Sequence, residues 1–278
     1  MDIEKIKKKF AKNFKDEISG FSGDLNTFSL MQLPSKQNLV YELAFIRKPR
    51  NFPKEVILKK FLTKNAENEV KTYKKLENQE INIPKLLLFK KSYLILEKLN
   101  GTNLCDLIND NLLNTADLDD LEPKVKERII TSVEKMADWI AQLHKDNIIN
   151  KEDPSKVIVL NKGDTRLKDF IIDVTTNTLY GFDFEDSYEG NPIDDLAWIC
   201  TALLDTNPGI FEMTDPKHKI ELINIFLKKY YSLISFNFDF NYFTESLIDN
   251  LNIVMKRRSI RLSPIKKATF IEEIKKEL

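Results

Sequence analysis

The sequence contains few of the residues on which several functional classes depend. Two cysteines and two histidines occur among its 278 residues. A disulfide framework, a zinc site of cysteines and histidines, and a serine–histidine–aspartate triad are therefore not expected. Seven glycines are present, and they form no Gly-x-Gly-x-x-Gly or Walker-type loop. Dinucleotide-binding and P-loop enzymes are accordingly disfavoured.

The charge balance and the hydropathy pattern exclude further classes. Lysine plus arginine and aspartate plus glutamate each number 43, and this zero net charge argues against a general nucleic-acid partner. No run approaches the ~18 consecutive apolar residues of a membrane span, and the first residues lack the apolar segment of a secretory signal. We therefore expect a cytoplasmic protein with neither nucleic acid nor membrane as partner. The basic cluster Lys256, Arg257, Arg258 and Arg261 is a candidate for a local basic patch, but we prefer its interpretation as a solvated helix face.

The periodicity of apolar residues changes about one third of the way along the chain. The part before it is rich in predicted strands, and the part after it is mainly helical. The composition shift at 98–101 is the best boundary between two lobes. Strands are predicted over 28–33, 39–46, 55–62, 85–91 and 93–98. Helices are predicted over 66–78, 125–147, 195–204, 216–234, 240–260 and 264–277.

Two aspartates flank a predicted β-hairpin in the second part. Asp169 and Asp183 border residues 170–182, which read as two β-rich runs around a Thr-Thr-Asn turn. A turn centred on Thr176 places the two aspartates directly opposite each other, with Cβ atoms roughly 4.5–5.5 Å apart. Two like charges at that distance need a cation between them, and Mg²⁺ prefers carboxylate oxygens. The hairpin therefore predicts a magnesium site.

Two further charged residues precede this hairpin. Asp164 could act as a base or orienting group for a substrate hydroxyl, or it could be a turn aspartate after Gly163. Arg166 could stabilise a transferring phosphoryl group, or it could be a solvent-facing loop residue. Three acids and an arginine around one hairpin base suggest phosphoryl transfer.

A lysine in the third predicted strand is a candidate ligand for nucleotide phosphates. Alternation along the strand does not choose between Lys59 and Lys60. Glu69 is the acid on the apolar stripe of the following helix, where a cationic partner is expected. We therefore predict that Glu69 pairs with a strand lysine. Two other polar residues have structural interpretations: Asp195 as a helix N-cap, and His144 as a core or cap histidine.

The order of these parts resembles the aminoglycoside phosphotransferase and choline kinase-like group of the protein-kinase-like fold, over roughly residues 28–205. Residues 162–171 (Lys-Gly-Asp-Thr-Arg-Leu-Lys-Asp-Phe-Ile) resemble its catalytic loop, His-Gly-Asp-x-x-x-x-Asn. Four other segments are similar to family motifs, and Pro34–Asn38 occupies the place of the phosphate-covering loop. These segments are 182–185 (Phe-Asp-Phe-Glu), 190–197 (Gly-Asn-Pro-Ile-Asp-Asp-Leu-Ala), 56–59 with 68–70, and the hinge-like 96–104.

The resemblance implies an α+β, bilobal fold. Residues 1–97 would form a small lobe of antiparallel sheet and helix, 98–101 the hinge, and 102–278 a larger, mainly helical lobe. The implied cofactors are ATP and Mg²⁺. In the larger lobe, the resemblance implies catalysis for Asp164 and Arg166, metal binding for Asp169 and Asp183, and bracing of the catalytic loop for Asp195. In the small lobe, it implies that Lys59 binds the nucleotide phosphates with Glu69 as its partner. It also implies that Ser35 and Asn38 cover the phosphates and that Glu97 and Leu99 contact adenine.

The sequence also departs from the family pattern. Lys162 replaces the usual histidine, Asp169 replaces asparagine, and the covering loop lacks glycine. Eleven residues separate Asp183 from Asp195, which is short for a segment that seats a peptide. The resemblance thus implies an ATP- and Mg²⁺-dependent kinase that transfers the γ-phosphate to a hydroxyl of a small molecule, an aminoglycoside-, choline- or sugar-like acceptor. The alternatives are a pseudokinase-like nucleotide-binding scaffold and an atypical protein kinase.

Overall fold

The computed structural model describes residues 3–35, 37–63, 65–113, 115, 117–150, 157–213, 216–260 and 271–275. The chain divides into two compact units. The first runs to Asn78 and also contains Ile83–Leu99, and the second contains Gln79–Asn82 and the chain from Asn100 onward. The boundary after Leu99 falls inside the segment 98–101, whose role as a hinge stays a prediction.

The first unit is built around a five-stranded antiparallel sheet. The strands follow the order β1-β2-β3-β5-β4 across the sheet. All five predicted strands are confirmed, with slightly shorter ends for most. Their bounds are β1 (Phe28–Leu33), β2 (Leu39–Phe45), β3 (Glu55–Lys60), β4 (Leu86–Lys90) and β5 (Tyr93–Glu97).

Two helices accompany this sheet in the first unit. Helix α1 (Ile3–Phe14) has an apolar stripe whose buried members include Phe10 and Phe14, and the Phe10 ring lies 5.2 Å from that of Phe28 in β1. This stripe and the inner face of the sheet form one hydrophobic core. Helix α2 (Ala66–Leu76) confirms the helix predicted over 66–78.

The second unit is mainly helical and carries two small sheets. Its sheets have the strand orders β10-β9-β6 and β11-β8-β7. The helices are α3 (Leu104–Leu112), α4 (Pro123–Asp146), α5 (Pro192–Leu204), α6 (Lys217–Leu233) and α7 (Phe240–Arg258). The strands are β6 (Thr102–Asn103), β7 (Ile148–Asn150), β8 (Ile158–Asn161), β9 (Phe170–Asp173), β10 (Thr178–Gly181) and β11 (Tyr188–Gly190).

The predicted α+β fold class is confirmed by these elements. The predicted helix over 264–277 lies mostly outside the described residues, as does Arg261. Sequence periodicity missed β7, β8 and β11, because each of these strands spans only three or four residues. Among the described residues, no helix combines the length and the hydropathy needed to cross a membrane.

The predicted hairpin exists, but its predicted register is wrong by one residue. Strand β10 pairs with β9 so that Gly181 faces Phe170, and the Phe182 amide donates to the Asp169 carbonyl. Asp169 is therefore not opposite Asp183. The turn has four residues between Asp173 and Thr178, with Asn177 in the left-handed region at φ +53°. The Asp173 carboxylate accepts from the amides of Thr175 and Thr176, and this cap fixes the longer turn.

A buried lysine in α6 should make the free energy of unfolding depend on pH. Lys219 is 1% exposed, and its Nζ donates to the carbonyl and the hydroxyl of Thr206 at 2.8 Å and 2.5 Å. Burial lowers the pKa of this ammonium from 10.5 to about 8. The folded protein therefore releases the proton at a lower pH than the unfolded chain, while both states hold it well below pH 8. The contribution of Lys219 to the free energy of unfolding should therefore rise with pH between about 8 and 10.5, the folded and unfolded pKa values.

We expect the free energy of unfolding of the unaltered protein, relative to Lys219→Met, to rise by about 1 kcal/mol between pH 8 and pH 9. Urea denaturation of both proteins at each pH measures this difference. Lys145→Met removes an exposed ammonium from α4 and should show no such change. Parallel stability curves for the unaltered protein and Lys219→Met would contradict the assignment.

Candidate active site

The predicted catalytic loop follows β8 in the second unit. Gly163 and Asp164 both adopt positive φ angles, +71° and +38°. A Cβ atom at residue 163 would lie 2.1 Å from the carbonyl oxygen of Asp186, so glycine is required there for steric reasons as well as for its backbone angle. This close backbone approach places the loop directly against the segment that follows Asp183.

The Asp195 side chain in α5 is hydrogen-bonded to this loop. Its carboxylate is fully buried and accepts from the Lys162 amide at 2.6 Å, the Gly163 amide at 2.9 Å and the Thr165 hydroxyl at 3.0 Å. The N-cap of α5 is Asn191, so the interpretation of Asp195 as an N-cap is wrong. The carboxylate instead binds two consecutive backbone amides and one side-chain hydroxyl of the loop, and its role as a brace stays a prediction.

His144 at the end of α4 completes this buried network. Its Nε2 lies 3.2 Å from Asp195 Oδ2, and its Nδ1 lies 2.7 Å from the Tyr230 hydroxyl. Burial raises the pKa of Asp195, but the contact with His144 and the amides of Lys162 and Gly163 outweigh it and lower the pKa overall. The prediction of a core histidine is confirmed, but its partner was not foreseen. The two residues are 51 positions apart.

Arg166 lies among the three predicted acids. Its guanidinium nitrogens are 3.6 Å from Asp169 Oδ2, 3.6 Å from Asp183 Oδ2 and 4.0 Å from Asp164 Oδ2. Burial lowers the pKa of Arg166, but attraction from the three carboxylates outweighs burial and raises the pKa overall. The interpretation as a solvent-facing loop arginine is wrong. The acids do share one place in the fold, although the arginine rather than cross-strand pairing brings them together.

Lys162 and Asp169, the two residues of the predicted catalytic loop that differ from the family motif, contact each other. Lys162 is 1% exposed and Asp169 3%, and the Lys162 ammonium lies 3.1 Å from Asp169 Oδ2. The same ammonium donates to the Asp183 carbonyl at 3.0 Å, and the same carboxylate oxygen accepts from the Arg166 amide at 3.0 Å. The charge that Asp169 introduces is therefore balanced locally by the charge that Lys162 introduces.

Asp164 has a partner that the sequence interpretation missed. Its Oδ1 lies 3.3 Å from a guanidinium nitrogen of Arg257 in α7. The Arg257 guanidinium also stands over the Trp198 ring, 5.9 Å from its centroid. Arg258 binds the Asp205 side chain at 3.0 Å. The interpretation of this basic cluster as a merely solvated face is therefore wrong for both arginines.

Asp183 is the most exposed of the three acids around Arg166, with 31% of its side chain exposed. It adopts φ +67°, and the next side chain, Phe184, is fully buried beside Trp139 with their rings 6.2 Å apart. Anchoring of Phe184 thus holds the Asp183 carboxylate near Arg166. The donor set that Asp183 and Asp169 offer consists of carboxylate oxygens, which suits a hard divalent cation such as Mg²⁺.

The segment between Asp183 and Asp195 contains four acids, Glu185, Asp186, Glu189 and Asp194, and not all of their carboxylates are available to a ligand. Both oxygens of Asp194 accept from tyrosine hydroxyls, from Tyr188 at 2.8 Å and Tyr242 at 2.7 Å. Glu185 is buried. Asp186 is an exposed residue, yet its carboxyl group is partly shielded from solvent. This partial burial, with the nearby negative charges of Asp164, Glu185 and Asp183, raises the pKa of Asp186.

The first unit contains the predicted lysine–glutamate pair. Lys59 Nζ donates to Glu69 Oε2 at 2.6 Å, and both side chains are at least nine-tenths buried. Lys59 rather than Lys60 is the partner, as predicted. The Lys60 ammonium instead stands over the Tyr93 ring at 6.0 Å, since successive strand residues face opposite sides of the sheet. A nucleotide-binding role for Lys59 and Glu69 stays a prediction.

The remaining predicted nucleotide contacts are also in the first unit. Asn38 is buried, and its side-chain oxygen Oδ1 accepts from the backbone amide of Leu62 at 3.0 Å. The backbone amide of Asn38 donates to the Ser35 hydroxyl at 3.4 Å. Glu97 Oε2 accepts from the Lys85 amide at 3.3 Å. Leu99 is half-buried at the end of the unit. No structural feature assigns these four residues to a nucleotide, and their roles stay predictions.

Comparison with known proteins finds similarity in structure. No protein-family model and no curated relative matches the sequence. An amicoumacin kinase in complex with AMP-PNP and Ca²⁺ superposes with TM-score 0.54 at 15% identity, covering 100% of this chain and 94% of its own. The choline kinase of Streptococcus pneumoniae gives 0.54 at 16% identity, with 99% and 98% coverage. An ADP-bound aminoglycoside phosphotransferase gives 0.53 at 15%, with 99% and 97% coverage.

These matches extend over nearly the whole chain and over nearly the whole of each similar structure. At such low identities the similarity concerns the fold, and it says nothing by itself about the acceptor. The chain has the protein-kinase-like fold found in aminoglycoside phosphotransferases and choline kinases.

Proposed function

We propose that this protein is an ATP- and Mg²⁺-dependent phosphotransferase whose acceptor is a hydroxyl of a small molecule. The observation that carries the proposal is the group Asp164, Asp169 and Asp183 around Arg166, with every ion pair at 4.0 Å or less. Structural neighbours with the same fold include kinases of small molecules. The short segment from Asp183 to Asp195 supports a small acceptor rather than a peptide.

Asp164 is proposed to orient the acceptor hydroxyl and to accept its proton. As the hydroxyl oxygen forms its bond to the γ-phosphorus, the bond between that phosphorus and the ADP oxygen breaks, and ADP leaves. Asp195 maintains the loop backbone that carries Asp164, through the hydrogen bonds to Lys162 and Gly163. Arg166 would place positive charge where negative charge develops. Most of the catalysis is positioning and electrostatic stabilisation.

Lys59, oriented by Glu69, is proposed to bind the α- and β-phosphates of ATP. Ser35 and Asn38 would cover the phosphates, and the backbone at Glu97 and Leu99 would contact adenine. Asp183 is proposed as the main metal ligand, with the Asp169 carboxylate as the second. When bound, Mg²⁺ would neutralise charge on the nucleotide phosphates.

Asp164→Asn tests the proposed chemistry. We expect the rate of ADP release with an acceptor to fall by roughly a hundredfold or more, because the amide cannot accept the hydroxyl proton. The affinity for ATP, measured by calorimetry, should stay nearly unchanged because Asp164 is not assigned to the nucleotide. A panel of hydroxylated metabolites with Mg²⁺ provides the acceptors.

Asp110→Asn is the matched control, since it removes an exposed carboxylate from α3 in the same unit. It should leave both turnover and ATP affinity unchanged. Equal loss of turnover and ATP affinity in Asp164→Asn would contradict the role of Asp164 as the base.

A nucleotide-binding scaffold without turnover is the second candidate. The observation that favours it is the commitment of one Asp169 oxygen to Lys162 and to the Arg166 amide. If ATP raises the melting temperature while every acceptor in the panel leaves ADP release at the background rate, the scaffold is the better assignment. An atypical protein kinase would instead transfer phosphate to a protein substrate.

A further inference from the structure

Arg257 gives the second unit a positioned cation beside the proposed base. The side chain is about half exposed, at 48%, and Asp164 is only 13% exposed. One guanidinium nitrogen lies 3.3 Å from Asp164 Oδ1, and the aromatic face of Trp198 in α5 supports the planar group. The guanidinium of this α7 residue is thus held by contacts with two other parts of the unit, Asp164 in the loop after β8 and Trp198 in α5.

A guanidinium held in this way can bind an anion without losing its contact with Asp164. The group has five N–H donors in a rigid fork, and one nitrogen faces Asp164. Among the described residues, Asp164 is the only carboxylate that forms an ion pair with this guanidinium. The exposed edge therefore has donors that match the paired oxygens of a carboxylate.

Asp194, one of the acids that could attract a cationic acceptor, is less available than this arginine. Asp194 is engaged through both oxygens by Tyr188 and Tyr242. Burial, together with the smaller effect of the contact with Asp194, raises the pKa of Tyr242 to about 12, so this hydroxyl remains a donor at neutral pH. Asp186 and Glu189 are exposed carboxylates, and they make a cationic acceptor the competing class in the experiment.

We propose that Arg257 is a specificity-determining residue that binds a carboxylate of the acceptor, so that the acceptor is a hydroxy acid. This inference rests on the proposed function, because it assigns the acceptor of the same reaction. The carboxylate would lie against the exposed edge of Arg257, and the hydroxyl to be phosphorylated would lie at Asp164. The spacing of the two groups in the acceptor must then be short.

Two sets of matched compounds test the class. Glycerate, glycerol and 3-aminopropane-1,2-diol share a three-carbon skeleton and carry a carboxylate, no charge and an ammonium. Gluconate, glucose and glucosamine repeat the comparison on six carbons. With ATP and Mg²⁺ present, we expect the carboxylate member of at least one set to have the highest kcat/KM for ADP release.

Arg257→Gln should raise KM for that carboxylate by roughly tenfold to a hundredfold, the loss expected for one charge-assisted hydrogen-bonding pair. The substitution also removes the ion pair with Asp164, so any fall in kcat should be shared by the carboxylate and the uncharged member, whereas the rise in KM should be confined to the carboxylate. Arg257→Lys should restore only part of the affinity, because an ammonium lacks the planar fork. Lys256→Gln removes the neighbouring exposed charge on α7 and should behave as the unaltered protein.

Direct binding decides the inference even without turnover. Calorimetric titration of gluconate and glycerate, with a non-hydrolysable ATP analogue present, should show saturable binding that Arg257→Gln weakens and Lys256→Gln does not. Preference for the uncharged or ammonium members, or carboxylate binding that does not depend on Arg257, would overturn the inference. A panel without any ADP release but with Arg257-dependent carboxylate binding would overturn the proposed function and leave the carboxylate site in place.

Discussion

Asp195→Ala is expected to lower the free energy of unfolding by on the order of 3–5 kcal/mol, the cost of removing one member of a buried charged network. The substitution leaves the buried amides of Lys162 and Gly163 without their acceptor. It also leaves His144 without its carboxylate partner. Urea denaturation gives the size of the effect. Turnover should be lost as well, because the backbone that carries Asp164 is no longer fixed.

The neighbouring Asp194 supplies the matched control. Its carboxylate is on the same helix turn but is bound only by two tyrosine hydroxyls near the surface. Asp194→Asn should cost about 1 kcal/mol or less. Similar losses for the two aspartates would contradict the assignment of Asp195 as the residue that braces the loop.

The pKa of Asp195 adds an acid dependence to this comparison. Its pKa is lowered in the folded protein, so the charged form contributes stability above the unfolded pKa of about 3.9 and loses it as pH falls through the lower, folded value. The stability difference between the unaltered protein and Asp195→Asn should therefore stay constant from pH 5 to pH 8 and shrink in stronger acid. A difference that already declines at pH 6 would indicate that another group titrates.

Local patterns predicted the parts of the site that depend on one element. The short apolar run at 56–58 gave the strand that carries Lys59, and the helical stripe gave Glu69 as the acid that pairs with a strand lysine. Both inferences need only the period of a strand or a helix and the rule that a buried charge requires a counter-charge. Local patterns also located the hairpin, whereas the predicted catalytic loop before it came from the resemblance to the family motif.

Patterns within one element did not predict contacts between distant elements. Arg257 reaches Asp164 across 93 residues of sequence, and His144 reaches Asp195 across 51. Helical periodicity indicates the face of α7 on which Arg257 lies, but it does not indicate which loop packs against that face. The hairpin register failed for a different reason. A three-residue and a four-residue turn suit the sequence equally, and the Asp173 cap with Asn177 at positive φ selects the longer one.

Lys162→Met is the second substitution with a large expected effect. It leaves the buried Asp169 carboxylate without its ammonium partner at 3.1 Å and removes the donor to the Asp183 carbonyl. We expect the free energy of unfolding to fall by about 3 kcal/mol, near the lower end for broken buried pairs. Contacts from the Arg166 amide and guanidinium to the same oxygen remain. Lys145→Met, at an exposed position, should stay within about 0.5 kcal/mol.

The double variant shows whether the two departures from the family motif depend on each other. Asp169→Asn alone leaves Lys162 buried without a counter-charge, so it should also destabilise the protein. In Lys162→Met with Asp169→Asn, neither charge is left unpaired, and the loss should be smaller than the sum of the single losses by at least about 1 kcal/mol. Additive losses would mean that Lys162 and Asp169 are independent. Coupled losses would mean that the Lys162 ammonium offsets the buried negative charge that Asp169 introduces beside Asp183.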